Sequence, residues 1–377
     1  TATQIKGNNL IRLAILGTRG IPARYGGFET FAEEIAERLQ QKGLEVTVYC
    51  EKGCNNPVIE IYKGVRLVYV PSPKLGPFST ILFDLFCLIV ARNRHDVIYM
   101  LGYGSSLFCF IPRLWGKQVW LNMDGIEWKR TKWSFPARLW LRTMEWIAML
   151  TPNRLIADAY AIQDHIKKHY PYSPPISVIP YGAPEVLQAD SSPLAEWDLA
   201  TDRYYLLVCR LEPENHVLEI LQGYTASNSN LPLVVLGNHR TGTHYVKQLL
   251  AITDARIRML GTVYDSAKLQ ALRFYARAYF HGHSVGGTNP SLLEALGCGN
   301  AVIAHNNVFN REVADNAALY FSTATEIPNL VEKIDTDETL RAAMRLNARN
   351  IVSQRYTWKL VTDAYMALLT APSSTEW

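Results

Sequence analysis

Residues 279–304 read YFHGHSVGGTNPSLLEALGCGNAVIA, and the order of residue types in that run decides how the chain around it folds. The apolar run 278–280 predicts a buried strand. His281, Gly282, His283 and Ser284 then lead into Gly286 and Gly287, a loop whose glycines let backbone approach a ligand closely. Asn289 before Pro290 marks a helix start, a capping side chain followed by a proline at the first helical position. Leu292, Leu293 and Leu296 give that helix an apolar face. Gly297 and Gly299 end it, and 301–304 supply the next buried strand. Free N–H groups and the positive end of the helix dipole face the loop, which suits a phosphate. Glu294, about one turn in, stands where a carboxylate accepts hydrogen bonds from sugar hydroxyls. An ordinary strand–helix turn with a solvated glutamate carries the same residues, so the run by itself sets an architecture and not a ligand.

Working outward, 204–209 reads as a strand ending at Arg210, 231–236 as one ending at Gly237, and 257–260 as one ending at Gly261. The N-terminal half repeats the alternation. A strand at 10–16 (LIRLAIL) runs into the loop GTRGIPARYGG, from Gly17 to Gly27. A helix follows, with Phe31, Ile35 and Leu39 at helical spacing, then a strand at 45–50. Further strands are expected at 65–70, 97–101, 119–122, 155–157 and 177–179. A polar, proline-bearing linker is expected over 184–202, and a last amphipathic helix over 357–369. Strands alternating with helices predict α/β architecture with mostly parallel sheets covered on both faces. Ligands of such sheets bind beyond the carboxyl ends of strands, where Asp124 and Glu127 fall.

The 377 residues imply two domains. A hydrophobic content of 48%, a charged content of 19% and a net charge of +4 describe a globular chain with no bias toward nucleic acid. The six cysteines fall in no CxxC pair and mostly in apolar runs, as expected of small buried hydrophobes in a reducing compartment. No signal peptide or membrane span is expected. The most apolar stretch, 81–90, is short and contains Asp84.

Taken together, GTRGIPARYGGFETFAEEIAERLQQKGLEVTVYC, VIPYGAPE, CRLEPENHVLEIL and HSVGGTNPSLLEALGCGNAVIA resemble the family 4 glycosyltransferases of the GT-B fold. Within that family the opening motif is closest to bacterial rhamnosyltransferases of surface-polysaccharide synthesis. The resemblance implies two Rossmann-like domains facing a cleft, one over 1–184 and one over 185–354, with a C-terminal helix (355–377) returning to the first. It implies transfer of a sugar, L-rhamnose from dTDP-L-rhamnose foremost, onto a lipid-linked saccharide, with the anomeric configuration retained. No cofactor is implied beyond the dTDP- or UDP-linked sugar as co-substrate. The absence of a DxD motif or a carboxylate–histidine cluster favours a route without metal.

The resemblance also assigns candidate residues. Arg210 is the leading diphosphate contact, and Asp124 the group that binds or polarises the acceptor hydroxyl. Gly20, Gly26, Gly27, His281, His283, Gly286, Gly287, Thr288, Asn289 and Glu294 complete the donor side. Tyr25 and Glu127 join Asp124 on the acceptor side. Two positions depart from the family pattern: the first of its two glutamates falls on Gly286, and its donor-segment lysine on Asn215.

Between 113 and 149, Trp115, Trp120, Trp128, Trp133, Trp140 and Trp146 are interleaved with Lys129, Arg130, Lys132, Arg138 and Arg142. Such a mixture suits an anionic membrane interface, and equally a core flanked by a solvated face. A cytoplasmic protein lying peripherally on the inner face of the cytoplasmic membrane is therefore expected. The rival readings are a UDP-hexose donor, a nucleotide-sugar epimerase and a non-catalytic nucleotide-sugar-binding subunit.

Overall fold

A computed structural model describes residues 10–23, 26–55, 57–76, 78–123, 125–130 and 132–371. The chain forms two compact units. The first consists of Thr1–Asp124, Phe135–Ile179 and Val361–Trp377, and the second of Gly125–Ser134 and Pro180–Leu360. The sequence reading kept Gly125–Ser134 with the first unit; its contacts put it with the second.

The first unit is built on β1 (Arg12–Leu16), β2 (Glu45–Glu51), β3 (Ile61–Tyr62), β4 (Val65–Val70), β5 (Val97–Leu101), β6 (Gln118–Met123), β7 (Arg154–Ala157) and β8 (Ile176–Val178). They lie in the order β3-β4-β2-β1-β5-β6-β7-β8. Only β3 runs antiparallel to its neighbour. All five residues of β5 are buried, as a strand covered on both faces requires. The helix Gly27–Gln41 buries Phe31, Ala32, Ile35, Ala36 and Leu39, one stripe at helical period. On that stripe Phe31 meets Tyr99 of β5 and Tyr365 of the C-terminal helix Trp358–Thr370, with ring centroids 6.3 and 6.1 Å apart. The two tyrosine hydroxyls hydrogen-bond at 2.7 Å, and Asn122 donates to Tyr99 at 2.9 Å. A buried hydroxyl pair needs such a donor, and the bond holds the C-terminal helix on this unit.

The second unit carries β9 (Tyr205–Val208), β10 (Leu233–Leu236), β11 (Ile257–Gly261), β12 (Ala278–His281), β13 (Val302–His305) and β14 (Ala318–Phe321). Their order is β11-β10-β9-β12-β13-β14, parallel throughout. Tyr205, Tyr224 and Phe280 form an aromatic centre with centroids 5.4 to 6.1 Å apart. The expected linker over 184–202 is docked. The Val186 N–H donates to the Gly297 carbonyl at 3.0 Å, Tyr275 donates to the Ala189 carbonyl, and Leu194 is buried. In both sheets the strand order reverses at one place, between β1 and β5 and between β9 and β12, and the loops that leave these strands are where an open α/β sheet takes its ligand.

Candidate functional site

Arg210 leaves the carboxyl end of β9, and 282–289 leave that of β12, so both border the reversal point of the second sheet. The Arg210 side chain is 45% exposed, and its Nε lies 3.7 Å from Glu212, a loose pair. Asn215, the position where the resemblance expects lysine, is buried and already engaged. Its Nδ2 donates to the Arg210 carbonyl at 2.7 Å, and its Oδ1 faces His283 Nδ1 at 2.8 Å. The carbonyl can only accept, so the amide orientation is determined, and His283 carries its proton on Nδ1. A hydrogen on Gly282 is required, because a Cβ there would lie 1.8 Å from the Asn215 carbonyl oxygen. The two loops are thus one packed body, tied again by Ser284, whose N–H and hydroxyl both donate to the Glu214 carbonyl.

Four histidines surround this junction. Burial lowers His281 to about 3, with help from His305, and lowers His305 to about 4, with help from His216. His283 falls well below its ordinary value, through burial first and then through His281, Arg130 and Arg210. His216 is lowered by burial against the opposing pull of Glu219, and its ring lies 3.8 Å from that of His305. All four are therefore neutral near pH 7, donors and acceptors rather than cations. Sequence reading found His281 and His283 but not His216, at the start of the helix Val217–Thr225, or His305, at the end of β13.

The helix Pro290–Gly297 starts as expected. The Asn289 side chain accepts from the Ser291 N–H at 2.9 Å, and Pro290 takes the first position. Thr288 is buried. Glu294 is neither free nor simply solvated: it pairs at 2.6 Å with the buried Arg273, keeping 32% of its side chain exposed. Arg273 lies 21 residues upstream on the helix Ser266–Phe274, where no motif announces it.

Gly286 has φ of 143°, a region side chains other than glycine avoid. A Cβ built on Gly125 would meet the Gly286 Cα at 2.7 Å. Backbone thus presses on backbone here, which gives a physical reason for glycine where the family pattern has glutamate. Gly125 introduces Gly125–Ser134 to the same corner. Arg130 is buried, with its Nε 2.7 Å from Glu127 Oε1, and the Trp133 indole donates to Glu127 Oε2 at 3.4 Å. Glu127, expected as an acceptor contact, makes this ion pair within the second unit. Burial, with Arg130 and Arg210, lowers the Lys132 ammonium, against the opposing Glu127 and Glu212.

Of the remaining candidates, Gly20 and Gly26 belong to the first unit and Gly287 to the second. A Cβ on Gly20 would strike the Cys50 side chain at 2.8 Å, so this glycine is needed for packing in any case. Gly26 caps the helix that begins at Gly27, and Glu29 and Glu33 accept from the N–H groups of Arg19 and Ala23 in the preceding loop. Gly287 lies buried between Gly286 and Thr288. Tyr25 and Asp124 lie outside the described residues. A groove of about 430 Å³ lined by Arg12, Glu45, Arg66 and His95 sits at the amino ends of β1 and β2, the wrong end of the sheet for this chemistry.

Comparison with known proteins fits this geometry. Residues 11–184 match a domain of unknown function, DUF1972, and residues 196–351 match Glycosyl transferases group 1. No curated protein matches the sequence. Sucrose-phosphate synthase from Thermosynechococcus elongatus superposes with a TM-score of 0.79 at 15% identity, over 96% of this chain and 100% of that one. Anabaena HepE in complex with UDP and glucose gives 0.78 at 16%, over 97% and 100%. A glycosyltransferase from Rickettsia africae gives 0.77 at 14%, over 98% and 100%. At these identities the superpositions speak for the fold, two parallel-sheet Rossmann-like units of GT-B type. With the matched domain in the second unit, they support a glycosyltransferase.

Proposed function

We propose that the protein transfers a sugar from a nucleotide-sugar to a lipid-linked saccharide, with L-rhamnose from dTDP-L-rhamnose the donor that the opening motif favours. The observation that carries the donor half is the pairing of Arg210 with the capped start of Pro290–Gly297 at the β9/β12 reversal. A guanidinium and oriented N–H groups stabilise a departing diphosphate as the bond between the anomeric carbon and the phosphate oxygen breaks. The acceptor hydroxyl attacks that carbon and gives up its proton to the leaving phosphate oxygen, so no protein nucleophile is consumed. Glu294, steadied by Arg273, accepts from donor hydroxyls. Charge compensation by these groups makes transfer independent of added divalent metal, and insensitivity to EDTA is the expected result.

A surface of the first unit supports the lipid half. Leu107, Phe110, Leu114 and Trp115 are exposed large apolar side chains, as are Leu139, Trp146 and Leu150 on and after the helix Phe135–Ala148. Arg113 stitches the two groups together by donating to the Leu150 and Thr151 carbonyls at 3.3 and 2.8 Å, and the Arg92 guanidinium lies 5.1 Å over the Trp115 ring. Exposed aliphatic and indole groups beside arginine suit the headgroup region of an anionic bilayer. No helix among the described residues is long and apolar enough to cross a membrane, so the association would be peripheral.

The test is incubation of the full chain with labelled dTDP-L-rhamnose or UDP-glucose, with and without a lipid-linked saccharide, followed by organic extraction. Acceptor-dependent label in the organic phase supports the reading. Transfer from UDP-glucose alone replaces the donor. Epimerised or free sugar without acceptor, or no turnover of either donor, contradicts transfer.

A further inference from the structure

We propose that the groove at the amino ends of β1 and β2 is a second anion site, which takes the phosphate group of a small phosphate monoester. All of its lining comes from the first unit, so the inference is independent of the donor reading. The strand register builds it. On β2, Glu45 and Tyr49 point to one face of the sheet, because side chains alternate along a strand. Arg12 of β1 stands beside Glu45, and Arg66 of β4 stands beside Thr47, between those two. Residues 93–95 carry the chain from the helix Phe78–Ala91 to β5 and add Arg94 and His95 to the lining. The space they enclose, about 430 Å³, is in the range of small-ligand pockets.

The charges of this lining are unequal. Three guanidiniums, of Arg12, Arg66 and Arg94, meet one carboxylate, Glu45. Arg12 is committed to Asp96, with bonds of 2.8 and 3.2 Å. The exposed Arg66 and Arg94 side chains make no hydrogen bond or ion pair to another described residue. A guanidinium is a planar fork of N–H donors that matches phosphate oxygens, and two unpaired ones on one groove suit a dianion. His95 adds a neutral donor. Its ring is buried, and its Nδ1 has no hydrogen-bond partner. The hydroxyl of the fully buried Tyr49 lies 3.3 Å from His95 Nε2 and gives its hydrogen there, which leaves the imidazole hydrogen on Nδ1. Burial first, and then Arg12, lowers His95 to about 4, so the ring carries no charge near pH 7. An orphaned N–H at the wall of a cationic groove lacks an acceptor, and an oxygen of the bound ester supplies it.

Calorimetric titration of glucose, inorganic phosphate and glucose 6-phosphate into the full chain tests this. The variants are the double Arg66→Ala, Arg94→Ala and the single His95→Gln, each with its melting midpoint and dTDP affinity. Wild type should bind phosphate and glucose 6-phosphate but not glucose. The double variant should weaken both phosphates about ten-fold, as for two exposed charge contacts, with its melting midpoint and dTDP affinity undiminished. His95→Gln keeps an acceptor for Tyr49 and removes the Nδ1 hydrogen, so it should weaken them as well. Wild type that binds neither phosphate, or a double variant that binds them as well as wild type does, overturns the site and leaves the two arginines as solvated cations. A lowered midpoint with loss of phosphate and dTDP affinity alike makes the arginines structural and also overturns it. A soluble ester is the ligand expected, so added phosphatidate vesicles should leave glucose 6-phosphate affinity unchanged. An affinity that falls as they are added overturns the small-molecule assignment in favour of a lipid headgroup. Failure of dTDP to bind wild type removes the donor reading and not this site.

Discussion

Residues 125–134 and 135–150 are adjacent in sequence and both combine tryptophan with basic residues, lysine and arginine in the first and arginine alone in the second, yet they end in different surroundings. In the first stretch Arg130 is buried with Glu127, and the Lys132 ammonium lies 4.7 Å over the Trp133 ring. In the second stretch some apolar side chains face outward, with Leu139 57% and Trp146 56% exposed, while Met144, Ala148 and Met149 are buried. Composition alone merges the two into one membrane-binding strip. Packing separates them, one stretch joining the second unit and the other presenting exposed apolar side chains on the first. Whether a cation is a membrane contact depends on what lies beside it, and sequence neighbours do not supply that.

The sharpest way to break the comparison is Arg210→Ala. Removing this guanidinium should weaken nucleoside-diphosphate binding by about 2–5 kcal/mol, the range for truncating one side of a desolvated charge pair. Vesicle binding should not change, and co-sedimentation beside calorimetry reads both. Gly286→Ala comes next. With φ at 143° and Gly125 pressed against it, a Cβ should cost about 1–3 kcal/mol, visible as a lower melting midpoint. A neutral outcome would mean that the glycine pair is not a constraint.

Replacing both Leu139 and Trp146 with glutamate should release the protein from anionic vesicles while dTDP affinity stays at the wild-type value. Each apolar side chain withdrawn from the interface costs about 1 kcal/mol or more. The charge-reversal triple at Lys129, Arg130 and Lys132, which composition picks out as the membrane mutant, should instead damage diphosphate binding first. If that triple sediments poorly but binds dTDP normally, the division drawn between the two stretches is mistaken.

The smallest effect concerns pH. His281, His283, His305 and His216 are held neutral in the folded second unit, below the roughly 6.5 of a free imidazole. The unfolded chain binds those protons first. Stability is therefore complete above about pH 6.5 and is lost as pH falls toward 4. In the first unit buried Asp84, hydrogen-bonded to Ser105, is pushed up to about 7 and acts oppositely, losing stability as pH rises from about 4 to 7. His95 there is lowered to about 4 and partly cancels it. Hydrogen exchange between pH 7 and 4.5 should show the second unit opening more readily in acid than the first.

Much of this was legible in the sequence for identifiable reasons. Val97–Leu101, buried along its whole length, reads as an apolar run and is found with its true limits, and Val65–Val70 is found by its valine, leucine and tyrosine content although Arg66 is exposed. Ile61–Tyr62 is too short to read as a strand, and Ala318–Phe321, though apolar, is only four residues long and is not assigned from the sequence. Around the site, the Asn289 cap and the placement of Arg210 follow from local rules of helix starts and strand ends. The Glu294–Arg273 pair, the stacking of His216 on His305 and the docking of Gly125 against Gly286 join residues distant in sequence. No spacing rule reports them, because tertiary packing and not backbone periodicity brings them together.

The division between the two stretches can be tested in one sample. The full chain bound to anionic vesicles is titrated with dTDP, and its affinity is compared with that of the free protein at the same salt. If residues 125–134 stay packed on the second unit while Leu139 and Trp146 serve the bilayer, the two affinities agree. If the vesicle surface competes with dTDP and the apparent affinity falls as anionic lipid is raised, the cations are membrane contacts and the account fails.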